Sequence, residues 1–275
     1  MTPRFNTTTL GVLSALAICA GPAVAQSGDQ AGTAAQGDMR CFNGYGYTLK
    51  GGDYRYTEHH EQQRENGTIT SWDVTYIGKG GEVIATKHLD FSDNPTVPTY
   101  TLEMADSGYS EGIEHTNGQW TMFRQKSADA KRQTKDFNVD GTIAADSGFD
   151  QLVQRQFGTI MQHESVSFRF AAAGRQSVID LRAKRGDDTT FEGEPAVVFI
   201  AELDMFLINY FVDSLKLTYD PDSKQLLEYR GIGNLHNDSG EVYPVRVTYS
   251  SEMPSVARDN GAPEASCGSV ESDNG

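Results

Sequence analysis

Residues 136–162 read DFNVDGTIAADSGFDQLVQRQFGTIMQ, and here the residue pattern changes from that of strands to that of a helix. Phe149, Leu152, Val153, Phe157, Ile160 and Met161 fall at helical offsets, so one apolar stripe faces a core. Asp146 or Ser147 can cap the start, because a side-chain oxygen there accepts from otherwise unpaired backbone N–H groups. Almost everything on either side alternates with the period of strands. The expected fold is therefore mainly β: a curved antiparallel sheet or incomplete barrel packed on one amphipathic helix.

Working back towards the amino terminus, Asn66-Gly67 and Asn117-Gly118 each mark a two-residue hairpin turn, and Gly78-Lys79-Gly80-Gly81 marks a longer one. Between these turns the chain alternates. Tyr54, Tyr56, Glu58 and His60 share one face of a strand, Trp72, Val74 and Tyr76 follow, and then Val83, Ala85, Leu89 and Phe91. Beyond the helix, Val166, Phe168 and Phe170 form one such face, and Pro195–Leu203 is a near-continuous apolar run, as in a strand covered on both sides. Met205–Val212 fits a strand or a short helix, and Val242–Tyr249 is the last strand.

Residues 1–25 have the form of an export signal: Arg4 is basic, Leu10–Ala20 is a short apolar run, and Ala23-Val24-Ala25 is a small-residue cleavage site. That division gives a signal at 1–25, a flexible leader at 26–40, a single β-rich domain at 41–250 and a polar tail at 251–275, in a periplasmic or secreted protein. No stretch is long and apolar enough for a transmembrane helix. The full chain carries a net charge of −15; Arg4 is the only charged residue of the first 25, so the remainder carries −16. Such a surface repels phosphate backbones and argues against nucleic-acid binding. Cys41 and Cys267 are the two cysteines left after cleavage, and in an oxidising compartment they are expected to pair.

Chemical motifs are few. Asp136-x-Asn138-x-Asp140-Gly141 resembles an EF-hand calcium loop, with alternate oxygen side chains converging on a hard cation, although the twelfth position is Ser147 where that loop has Glu. The alternative for these residues is a plain Asp-Gly turn, and calcium is the one cofactor they suggest. Gly108-Tyr109-Ser110-Glu111-Gly112 has the spacing of a nucleophile elbow, but strand-forming residues follow it where a helix should start. Basic residues gather before the helix (Arg124 to Lys135) and after it (Arg169 to Arg185), either as an anion site or as partners for the excess of Asp and Glu.

A long antiparallel meander interrupted by one amphipathic helix resembles the incomplete β-barrels of periplasmic carriers of the LolA and LppX families. The resemblance implies a curved sheet around an apolar cavity that the helix partly plugs. On that reading Phe149, Leu152, Val153, Phe157, Ile160 and Met161 line the site of a lipophilic or amphipathic small molecule, and the protein is a soluble, non-enzymatic carrier. Two other classes compete: a calcium-stabilised enzyme acting on an extracellular polymer, and a structural module of the envelope.

Overall fold

The computed structural model describes residues 37–203, 215–237 and 239–268; the segment expected to be a signal, most of the expected leader and Met205–Val212 lie outside them. Its strands are β1 (Gly37–Thr48), β2 (Tyr54–Glu65), β3 (Thr68–Ile77), β4 (Val83–Asp90), β5 (Thr99–Met104), β6 (Ser110–Thr116), β7 (Gln119–Gln125), β8 (Gln133–Phe137) and β9 (Ile143–Ala144). After helix α1 (Gly148–Met161) come β10 (Val166–Ala172), a 3-10 turn (Ala173–Arg175), β11 (Ser177–Phe191), β12 (Glu194–Leu203), β13 (Leu215–Tyr219), β14 (Leu226–His236) and β15 (Val242–Thr248). A short helix, α2 (Ser255–Asp259), follows.

All 15 strands join in one sheet, ordered from β8 back to β1, then from β15 back to β9. The pairings are antiparallel except between β9 and β10. This order forces curvature. In a flat sheet the two edge strands would stand about 67 Å apart at the usual interstrand spacing. Yet β8 and β9 are joined by residues 138–142, which extend to about 20 Å at most. The sheet must curl until its edges approach, which is the incomplete barrel expected from the sequence. Both Asn-Gly turns close as predicted: Asn66 and Gly67 have φ of 51° and 79°, Asn117 and Gly118 have 52° and 79°, and Glu65 pairs with Thr68 and Thr116 with Gln119.

Helix α1 lies where the stripe placed it. Its start has no side-chain cap at Ser147; instead the Asp146 carboxylate accepts from the Ser147 N–H and hydroxyl, at 2.6 and 2.8 Å. It ends in a Schellman motif: His163 at φ 62° donates to Ile160 O and Glu164 donates to Thr159 O. The stripe packs on β10–β13. Phe149 stacks on Phe168 at 5.2 Å, and Phe157 meets Phe199 and Tyr219 at 4.9 and 5.8 Å.

β1 includes Gly37–Arg40, residues that composition assigned to the leader. Part of the polar tail is also tied down. Cys41 and Cys267 form a disulfide with their Cα atoms 5.3 Å apart. Asn43 donates to Pro263 O, Gly268 donates to Glu61, and Ala257 of α2 is buried beside Tyr45 and Tyr54. These contacts cover the face of β1 and β2 that carries Asn43 and Tyr45, which is why Thr57 and His59 are buried on a strand whose other face also points inward.

Candidate functional site

Strand alternation aims one face of the curled sheet at a cavity of about 2190 Å³. Drug-sized ligand sites are usually about 300–1000 Å³, so the space exceeds that of an ordinary small-molecule pocket. Register builds the wall in rows. One row crosses seven strands as Phe42, His60, Val74, Lys87, Leu102, Glu111 and Arg124, of which Val74 and Leu102 pack in the core and the others line the cavity; from a neighbouring row of Gly44, Glu58, Tyr76 and Ala85, Glu58 and Tyr76 line it.

The two halves of the lining differ in chemistry. β1–β7 contribute charged groups, including Arg40, Arg55, Glu58, Lys87, Glu111 and Arg124. On β10–β15 the lining is mostly apolar, with Ile179, Leu181, Leu215, Leu217, Val245 and Val247; Glu202 is the charged exception among the described strand residues. Tyrosines occur in both halves: Tyr56, Tyr76, Tyr100, Tyr229, Tyr243 and Tyr249 all line the cavity. Burial raises all six hydroxyls above the ordinary phenol range, those of Tyr56, Tyr100 and Tyr249 well above it, so they serve as neutral hydrogen-bonding groups.

The buried charges differ in their partners. Lys87 donates to Asp146 at 2.7 Å, with side-chain exposures of 4% and 7%. Burial alone would lower the lysine, but the Asp146 charge, with Tyr76 and Glu58, outweighs it and holds the ammonium above its usual range. Glu111 accepts from Tyr109 at 2.5 Å and more weakly from Tyr100 at 3.5 Å; burial nevertheless raises its carboxyl. Asp150, on the first turn of α1, accepts from Tyr219 and Gln154, yet burial raises it to about 6 against the pull of those bonds and of Arg40. His60 is held neutral. Trp72 Nε1–H, a donor only, points at His60 Nδ1 from 3.1 Å, so the proton sits on Nε2 and is donated to Glu58 Oε2 at 3.1 Å. Burial lowers this histidine in the same direction, with Glu58 opposing.

Of the six stripe residues, Phe149 reaches the cavity. Leu152, Val153, Phe157 and Ile160 instead close a core against β10–β13, and Met161 packs at its margin. The part of α1 that faces the cavity is polar: Asp150, Gln151 and Gln154. The reason is geometric, since the apolar stripe gains most by covering the apolar half of the sheet, which leaves the helix flank towards the open space. Asp136, Asn138 and Asp140 are exposed. Asp136 lies on β8 and accepts from Thr121, and the Asp140 carbonyl accepts from Arg169. Among the described residues no group of three or more His, Cys, Asp or Glu is placed to hold a metal. Ser110 begins a strand, and Gly112 is glycine because a Cβ there would meet Tyr100 O at 1.8 Å. Four residues of the basic clusters meet acids: Arg182 and Lys184 meet Glu202, Arg185 meets Asp188, and Arg132 meets Glu114.

No family model and no curated protein matches the chain. Among solved structures, a β-barrel-like protein of the domain of unknown function DUF1849 from Brucella abortus aligns at 8% identity and a TM-score of 0.36, over 76% of this chain and 94% of that one. That likeness is too slight to carry an inference about function. No helix among the described residues is long and apolar enough to cross a membrane.

Proposed function

We propose that the protein is an exported carrier that binds an amphipathic ligand inside the curled sheet. The observation that supports this is the division of one cavity wall into a charged half on β1–β7 and an apolar half on β10–β15. An ordinary core has no reason to segregate charge in this way, because each buried charge costs desolvation unless it is paired and hydrogen-bonded. A ligand with a polar group at one end and a hydrocarbon at the other satisfies both halves. Its apolar part gains roughly 25 cal/mol for each Å² removed from water. The export signal and the Cys41–Cys267 bond fit a protein working in an oxidising compartment.

Titration with a fluorescent long-chain amphiphile tests this reading. The parent protein is expected to enhance its emission saturably, and an unlabelled amphiphile should compete. Leu181→Lys places a charge on the apolar wall and should weaken binding about tenfold or more, because the ligand chain then has to desolvate an ammonium group. Unchanged binding in L181K would move the ligand elsewhere, and absence of saturable binding in the parent would remove the proposal.

A further inference from the structure

Glu58 sits in a box of aromatic rings. On β2, Tyr56 and His60 flank it on the same face; across β3 its register partner is Tyr76. Across β1 the partner is Gly44, which leaves that side without a side chain. The ring of Tyr249 and a methyl of Val247 fill this space: a Cβ on Gly44 would lie 2.8 Å from Tyr249 Cε1, 3.0 Å from Val247 Cγ1 and 3.1 Å from Glu58 Oε2. Ring and carboxylate therefore converge over one glycine. Tyr56 and Tyr76 stand edge to face at 5.9 Å, and His60 and Tyr249 lie tilted to each other at 5.8 Å.

The charge balance inside the box is incomplete. The Glu58 side chain is 9% exposed, and its hydrogen bond comes from a histidine that Trp72 keeps neutral. Lys87, the nearby buried cation, is committed to Asp146. Of the other deep carboxylates, Glu111 is occupied by two tyrosine hydroxyls and Asp150 by Tyr219 and Gln154. Glu58 thus offers a negative charge, set among aromatic rings, to the interior of the cavity.

We infer that this box receives an alkylammonium group, quaternary or primary, at the polar end of the ligand. The inference rests on the amphiphile reading above and adds the sign of the head group. A cation there gains both the Coulomb attraction of Glu58 and the quadrupoles of the tyrosine rings, interactions that strengthen where water is excluded. An anion meets repulsion from the same groups.

Calorimetric titration of the whole protein with three twelve-carbon probes below their micelle concentrations decides the matter: dodecyltrimethylammonium, dodecyl maltoside and dodecanoate. The expected order places the ammonium probe first, by about tenfold or more over the neutral one, and dodecanoate last. Glu58→Gln keeps an acceptor for His60 but removes the charge, and it should erase the preference, bringing the ammonium probe to the affinity of the maltoside. Tyr249→Leu should reduce the preference without abolishing it, and serves if E58Q melts early. Choline chloride alone distinguishes the sources: binding without a chain indicates a free amine ligand, and binding that needs the chain indicates a lipid head group, each in keeping with the box. Equal affinity for ammonium and maltoside, or tighter dodecanoate, would overturn the ammonium site and leave the carrier reading standing. Absence of binding by all three would overturn both.

Discussion

Lys87 and Asp146 form the most consequential pair in the cavity wall, since neither reaches solvent and each neutralises the other. Lys87→Ala would leave a buried carboxylate without its cation, and we expect a loss of roughly 3–5 kcal/mol, read from the denaturation midpoint. A loss below about 1 kcal/mol would mean that water reaches Asp146 readily. Asp150 gives a pH signature. Its folded value of about 6 lies above the ordinary carboxylate value, so the folded state holds this proton more tightly than the unfolded chain does. Ionised Asp150 therefore imposes a penalty that is fully present above pH 6 and is relieved as pH falls towards 4. Asp150→Asn should gain stability relative to the parent by about 2 kcal/mol on going from pH 4 to pH 8. A difference that stays flat across that window would show that Asp150 is well solvated. At this scale little was legible beforehand. Alternation placed Tyr56, Glu58 and His60 on one face, and the Asn66-Gly67 hairpin brings Tyr76 beside Glu58 from the next strand, but Tyr249 comes from just past the last strand, and Gly44 matters through the side chain it lacks.

Helix α1 shows how an element can be read correctly while its task is not. The stripe fixes which face is buried, because offsets of three and four repeat on one side of any helix. It does not say whether that face meets a ligand or a wall. Phe157 is 3% exposed among Phe199, Tyr219 and its helix neighbours, so Phe157→Ala should cost roughly 3–5 kcal/mol. Amphiphile affinity in that variant should be unchanged under conditions where it remains folded. A fall in affinity together with a small stability loss would put the stripe at the ligand. The hairpins were legible to the residue, since Asn-Gly supplies the positive φ values that a two-residue turn demands. β1 was harder to see. Its Gly44 and Gly46 interrupt the apolar alternation, and the reason is close approach: a Cβ on Gly46 would meet the Tyr56 ring at 2.6 Å.

For the whole molecule, closure rests on joining the chain's ends. β1 pairs with β15, and the disulfide spans a sequence separation of 226. In the chain-entropy model a loop of that length contributes about 5 kcal/mol, so reduction should lower the denaturation midpoint, and C41S/C267S should match the reduced protein. Equal stability of oxidised and reduced forms would assign the holding of residues 251–268 to α2 and the Asn43 and Glu61 hydrogen bonds alone. The ring-like order of strands was only partly readable, because sequence alternation specifies strands and hairpins but carries no record of which distant edges meet. The cavity is a consequence of that order, and so is the division of its wall between the two halves of the chain. Native mass spectrometry of protein isolated from its own compartment, without detergent, tests that consequence most directly. The account predicts a bound species that is released on unfolding and is amphipathic on analysis. Protein at the bare chain mass, which also takes up no added amphiphile, would contradict it.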